Sequence, residues 1–139
     1  MFSEKLKKYA ESQYEERLGI LGETGRIVEE KMKSCTPDEQ ILMKFLYGTM
    51  PVRDAGEYEF EVFLGYVRHS LMVYTTMDWC RDLSEEIFIN HVLYYRINSE
   101  NIVDCRRFFY DQLIDRIRGL SAKEAALEIN YWCAENGSY

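Results

Sequence analysis

The stretch TPDEQILMKFLYG, residues 36–48, decides the fold class of this chain. Thr36 can cap a helix with its hydroxyl, Pro37 fits the first helical position, and Glu39 is placed to close a capping box. Apolar residues follow at the three- and four-residue spacing of a helix. They are Ile41, Leu42, Phe45 and Leu46. The stretch therefore predicts a helix that begins after Thr36 and ends at Gly48.

A second amphipathic pattern lies further along the chain, at residues 58–75, beyond a stretch at 49–57 that we predict to be a loop. Its apolar side chains recur on one helical face. They are Phe60, Phe63, Leu64, Val67, Leu71 and Tyr74. The pattern predicts a central helix.

Helix-start signals also occur toward both ends of the sequence. Ser3 can cap a helix that reaches about Leu18, and the glycines at 19, 22 and 25 predict a loosened stretch before a short helix at 27–33. Ser84 can begin a helix that reaches about Tyr94, with Leu83 placed to pack on Phe88. Each signal adds a helix to the expected fold.

The last third of the chain predicts two more helices. One begins at Asn98 or Ser99 and reaches Arg118, where Gly119 can form a C-cap. Its expected inner face consists of Ile102, Cys105, Phe109, Leu113 and Ile117. Ser121 and Glu124 form a capping box for a final helix that ends at about Glu135.

These signals predict an all-α protein: a single compact domain over residues 1–139, built as an irregular array of about seven helices. Alternation of apolar and polar residues never persists long enough to favour a sheet. The predicted helices differ in length and their connections are uneven, which favours an irregular array over a regular four-helix bundle.

Composition limits the partners of this protein. The net charge is −7, and Arg106, Arg107, Arg116 and Arg118 are interleaved with aspartates. We therefore expect neither nucleic acid nor an anionic membrane as a partner. With no signal-peptide pattern, no long apolar run and four cysteines without a CxxC pair, a cytoplasmic protein with reduced thiols is predicted.

Groups that support catalysis are few. His69 and His91 are the only histidines, and neither has a glutamate three residues before it, as a di-metal bundle requires. The cysteine and histidine spacings match no zinc site. We predict no catalytic, cofactor-binding or metal-binding residue. The remaining enzymatic alternative is a small site that folding assembles from Cys, His and Asp side chains.

The second half of the chain resembles the region upstream of the catalytic core in bacterial transglutaminase-like proteins. The resemblance rests on IFINHVLYYRINSE at 87–100, DCR at 104–106 and EAALEINYW at 124–132. Met50-Pro51 is similar to an Asn-Met-Pro of the same proteins. His91, Tyr94 and Cys105 depart from that pattern, where the family has tyrosine, proline and tryptophan.

The resemblance implies a non-catalytic accessory domain that packs beside a papain-like core, whose Cys, His and Asp would follow Tyr139. It implies a structural motif of Tyr95, Arg96, Glu100 and Arg106, and a possible interface of Tyr131, Trp132 and Tyr139. The partner would be that downstream domain or another protein. The alternative is a stand-alone helical module for protein–protein interaction. In either case exposed aromatic side chains favour self-association of the chain.

Overall fold

The computed structural model describes residues 2–80, 82–93 and 111–136, and these residues confirm the predicted all-α class, with no strand among them. The helices are α1 (Glu4–Leu21), α2 (Glu23–Met32), α3 (Pro37–Thr49), α4 (Val52–Glu57), α5 (Phe60–Thr76), α6 (Glu85–Ile87), α7 (helical residues 111–117) and α8 (Ala122–Asn136). A 3-10 turn, Asp78–Cys80, follows α5, and α6 continues as a π-helical turn, Phe88–Val92.

Contacts between Cα atoms divide the chain into two compact units, Met1–Arg68 and His69–Tyr139. Helix α5 crosses the boundary, so its first half belongs to unit 1 and its second half to unit 2. The expectation of a single domain over residues 1–139 stays a prediction.

The predicted helix starts are confirmed at four serine and threonine caps. The backbone N–H of Leu6 donates to Ser3, that of Ile87 to Ser84 and that of Glu124 to Ser121. At α3 the capping box is complete: the Glu39 N–H donates to Thr36 Oγ1 at 3.2 Å, and the Thr36 N–H donates to Glu39 Oε1 at 3.0 Å. Local sequence therefore fixes where these helices begin.

The glycines do not behave as the sequence predicts. Only Gly22, with φ of +57°, separates α1 from α2. Gly19 lies inside α1, and Gly25 lies inside α2, where an added Cβ would be 3.2 Å from the carbonyl oxygen of Leu18. The predicted loose stretch is therefore wrong, because the glycine at 25 allows two helices to approach closely and does not break one.

Gly48 is likewise internal to α3, which continues to Thr49. A Cβ at this position would lie 2.8 Å from both the Cβ of Gln13 and the backbone nitrogen of Tyr14. The predicted end of the helix is therefore a packing position, at which α1 crosses α3 with its backbone almost in contact.

The stretch at 49–57, predicted as a loop, contains helix α4. Pro51 occupies its N-cap, and proline is compatible with a helix start because it needs no N–H partner there. Ala55 is buried in unit 1. The burial of Ala55 depends on the rest of unit 1. The composition of residues 49–57 is typical of a loop, so the sequence does not predict this helix.

The core of unit 1 is formed by α1, α3 and the side chains that face them. Its largest fully buried members are Tyr14, Val28, Leu42, Met43, Tyr47, Phe63 and Val67. Arg17 reaches from α1 to the end of α3, where its Nη1 donates to the carbonyl oxygens of Tyr47 and Met50. These carbonyls have no partner within the helix, so Arg17 acts as a C-cap supplied from another helix.

Glu39 combines the capping box with an ion pair, since Arg68 Nε donates to its Oε2 at 3.1 Å. Burial alone would raise the pKa of Glu39. The hydrogen bond from the Thr36 backbone and the guanidinium of Arg68 outweigh burial and hold the pKa below its ordinary value.

We expect Glu39→Gln to lower the free energy of unfolding at neutral pH by about 1 kcal/mol. Glutamine keeps the capping hydrogen bond but loses the ion pair. Because the pKa is lower in the folded state, the contribution of Glu39 is complete above about pH 4.5 and is lost as the pH falls through the folded-state pKa. Urea unfolding of both proteins across this range measures the difference.

The matched control is Glu30→Gln, which removes an exposed pair with Lys33. We expect this control to leave the unfolding free energy almost unchanged, because both partners of the pair are exposed and screened by water. A difference between Glu39→Gln and the parent that stays constant from neutral to acidic pH would contradict the role of the ion pair.

Unit 2 has its own apolar cluster. The buried members are Met77, Cys80, Ile114, Ile117 and Ala125. On α7 the buried residues are Ile114 and the predicted Ile117, whereas the predicted Leu113 is only half-buried. Gly119 adopts φ of +81° after α7, as a helix-ending glycine does. Ile102, Cys105 and Phe109 of the predicted inner face lie outside the described residues.

The helix predicted from Ser84 to Tyr94 changes character at Phe88. The N–H of Leu93 donates to the carbonyl of Phe88 at 2.9 Å, which is a five-residue, π-type step. Phe88 is fully buried and stacks on Tyr74 of α5, with 4.3 Å between ring centroids. The wider turn lets Phe88 stay against α5, so tertiary stacking overrides the regular α-helical ladder.

Candidate functional site

Helix α8 packs into unit 2 through one stripe of side chains. Ala125 and Trp132 are buried, and Ile129 between them packs on the apolar cluster. Their spacing of four and three residues is that of a single helical face. This inner face accounts for the folding of α8.

The opposite side of α8 is exposed and carries apolar side chains. We define the outer face of α8 by its exposed residues Lys123, Ala126, Leu127, Asn130, Tyr131 and Ala134. Leu127 is 48% exposed and Tyr131 is 57% exposed, one helical turn apart. Lys123 is the charged residue among these six, and the exposed carboxylates of Glu124 and Glu135 border the face beside Tyr131. A helix that is apolar on both sides usually has a partner on each.

The charges of α8 lie on its flank. Arg116 of α7 donates from Nε to Glu128 at 2.9 Å and from Nη2 at 2.5 Å, and its Nη1 is 3.7 Å from Glu135. The hydrogen bond to Glu128 raises the pKa of Arg116. This fork fixes the rotation of α8 on α7 and so holds the outer face toward solvent.

The three predicted interface residues, Tyr131, Trp132 and Tyr139, differ in their exposure to solvent and in whether the structure describes them. Tyr131 lies on the outer face, whereas Trp132 is only 4% exposed. Trp132 therefore does not form the exposed patch that the sequence suggests, because neighbouring residues on a helix point in different directions. Tyr139 lies outside the described residues. The predicted structural motif, Tyr95, Arg96, Glu100 and Arg106, lies outside them as well.

Cys35 and Cys80 do not have the surroundings of nucleophiles. Burial raises the pKa of Cys80 to about 11, and burial followed by the charge of Glu39 raises that of Cys35. A raised pKa suppresses the thiolate, which is the reactive form. His69 is half-buried and His91 is exposed. Over residues 2–80, 82–93 and 111–136, no three His, Cys, Asp or Glu side chains are grouped to hold a metal ion.

A groove that the sequence analysis missed lies in unit 1, between α2 and the junction of α4 and α5. Its volume is about 430 Å³. We call it the α2–α4 groove. Its lining includes Ile27, Lys31, Tyr47, Glu57, Tyr58, Glu59, Phe60 and Glu61. The available signal was the sequence EYEFE at 57–61, which brings acidic and aromatic residues together where α4 ends and α5 begins.

The residues that line the groove carry more negative than positive charges. Lys31 of α2 donates to Glu61 of α5 at 2.5 Å, and this hydrogen bond lowers the pKa of Glu61. Burial raises the pKa of Tyr47, and the charge of Glu61 adds to that rise. Three carboxylates face a single ammonium along the lining. The groove therefore carries a negative potential over an apolar floor.

Comparison with known proteins gives no family: no family model matches the chain, and no curated protein or solved structure matches it significantly. The transglutaminase-like resemblance thus stays a prediction, and much of the sequence on which it rests falls at 94–110, outside the described residues. Among the described helices, none has the length and apolar character that crossing a bilayer demands.

Proposed function

We propose that this chain is a non-catalytic helical module for protein–protein interaction, which docks through the outer face of α8. The observation that carries the proposal is the exposed apolar area of the outer face, opposite an inner face that already packs within unit 2. Leu127 and Tyr131 supply the apolar area, and tyrosine is enriched where protein surfaces meet.

The expected affinity for a second copy of the chain is low. Complete burial of one Leu or Tyr side chain contributes about 1.5–3 kcal/mol, and a symmetric dimer would bury two of each. Association costs about 4–15 kcal/mol in lost freedom of motion. The gain and the cost are of similar size, so we expect association to be weak.

The transglutaminase-like resemblance supplies a more specific form of this proposal. In that form the partner is the catalytic core of a longer polypeptide, and this chain is its accessory domain.

Sedimentation equilibrium tests the docking surface. We expect the parent chain to self-associate weakly as its concentration rises toward the millimolar range, because the outer face of α8 places two exposed apolar side chains one helical turn apart. The double variant Leu127→Lys, Tyr131→Lys should weaken association at least about tenfold, since two charges would have to be buried.

Ile20→Lys is the matched control, because Ile20 is an exposed apolar residue of unit 1 that lies on another helix. It should associate like the parent chain. A parent chain that sediments as a strict monomer at high concentration would refute the proposal, as would equal weakening by the control.

A further inference from the structure

We propose that the α2–α4 groove of unit 1 binds an extended peptide segment in which lysine or arginine alternates with apolar residues. This inference goes beyond the proposed function, since it concerns another unit and other residues than the outer face of α8. It rests on the shape of the groove, its floor and the charges along its edge.

The shape favours a chain-like occupant. A second hollow of about 410 Å³ lies along α2, lined by Arg26, Ile27, Glu30 and Lys31. It shares Ile27 and Lys31 with the α2–α4 groove. Two adjoining hollows along one helix fit several successive residues of a peptide better than one small molecule.

The floor is apolar, rigid and partly aromatic. Tyr47 and Phe60 are stacked with 6.2 Å between ring centroids, and Tyr58 meets Phe63 edge-on at 6.4 Å. Ile27 is 44% exposed at the side of the groove. These contacts hold the floor in place without a ligand, so little conformational freedom is lost when an apolar side chain binds.

The edge selects a cationic segment. Glu57, Glu59 and Glu61 are all exposed and alternate with the aromatic residues that face inward. Glu61 forms an ion pair with Lys31, and the carboxylate of Glu57 lies 4.0 Å from Nε of Arg53. The side chain of Glu59 has no ion pair among the residues that the structure describes. A peptide with basic residues at every second position would place them against this edge.

The test titrates a synthetic heptapeptide, in which lysine alternates with leucine and phenylalanine, into the isotope-labelled chain. We expect saturable amide shift changes at 24–31 and 55–61, with a dissociation constant of order 0.1–1 mM. Raising the salt from about 20 mM to about 0.5 M should weaken binding severalfold, because the exposed charges are screened. The same peptide with glutamate in place of lysine should not bind.

Variants then assign the site. Glu57→Gln with Glu59→Gln should weaken binding about threefold to tenfold, as exposed charge pairs of this kind contribute. Glu15→Gln with Glu16→Gln removes the same charge from an exposed stretch of α1 and should leave affinity unchanged. Ile27→Ser should also weaken binding, since it removes apolar area from the groove.

Three results would overturn the proposal. One is no saturable binding of the lysine peptide at millimolar concentration. Another is equal weakening by the α1 control, which would reduce the effect to general attraction by a chain of charge −7. The third is a set of shift changes that map to other surfaces. None of these results would bear on the outer face of α8, because both groove variants leave that face intact.

Discussion

Gly48→Ala is expected to lower the free energy of unfolding by about 2–4 kcal/mol, more than any other single methyl group added to unit 1. The new Cβ would lie 2.8 Å from the backbone nitrogen of Tyr14 and 2.9 Å from the carbonyl carbon of Gln13. Backbone atoms have no alternative rotamer, so α1 and α3 must move apart. Denaturant unfolding followed by circular dichroism measures the loss.

Gly65→Ala is the matched control, because Gly65 is also internal to a helix but has open space around its Cβ position. Alanine favours the helix by about 1 kcal/mol over glycine, so this variant should be stabilised. The two substitutions are chemically identical and should have opposite signs. If Gly48→Ala were also neutral or stabilising, the close crossing of α1 and α3 would be incorrect.

Trp132→Ala is the second change with a large expected effect. Trp132 is buried on the inner face of α8, and truncation of a buried aromatic side chain costs about 3–5 kcal/mol. Tyr131→Ala, one residue earlier, should change the unfolding free energy by about 0.5 kcal/mol or less. Urea unfolding of both variants measures the contrast.

The two variants distinguish a role in folding, expected for Trp132, from a role in association, expected for Tyr131. Tyr131→Ala should instead reduce self-association, because Tyr131 provides much of the apolar area on the outer face. Comparable losses of stability from both substitutions would mean that Tyr131 is also part of the core, and the outer face would lose its main side chain.

The beginnings of the helices could be predicted from the sequence because they depend on local chemistry. A hydroxyl at the N-cap and a glutamate three residues later act within one turn, as Thr36 and Glu39 show. The hydroxyls of Ser3, Ser84 and Ser121 cap their helices just as locally, although only Ser121 is followed by a glutamate three residues later. None of them depends on what the rest of the chain does.

The glycines and the short helix α4 could not be predicted in this way. Another helix passes close to Gly48 and Gly25, so a larger side chain at either position would collide with it. The sequence shows that these residues are small, but it does not show which helix lies beside them. A six-residue helix such as α4 has little intrinsic stability, so its formation depends on packing of Ala55. The π-helical turn at Phe88 depends similarly on stacking against Tyr74.

The candidate sites show the same limit. An aromatic pair such as Tyr131 and Trp132 indicates apolar area, but which member faces solvent depends on the rotation of α8, and Arg116 and Glu128 help to fix that rotation. The α2–α4 groove joins α2 to residues 55–61, which are far apart in the sequence. No local pattern indicates that these segments meet.

Isotope-filtered NOE spectroscopy tests the docking surface most directly. The sample is an equal mixture of carbon-13-labelled and unlabelled chain at about 1 mM, a concentration that matches the expected weak association. We predict intermolecular NOEs from the methyl groups of Leu127 and the ring of Tyr131. Intermolecular NOEs confined to other exposed apolar residues, such as Ile20 and Ile27, or none at any concentration, would contradict the claim that the outer face of α8 is an interaction surface.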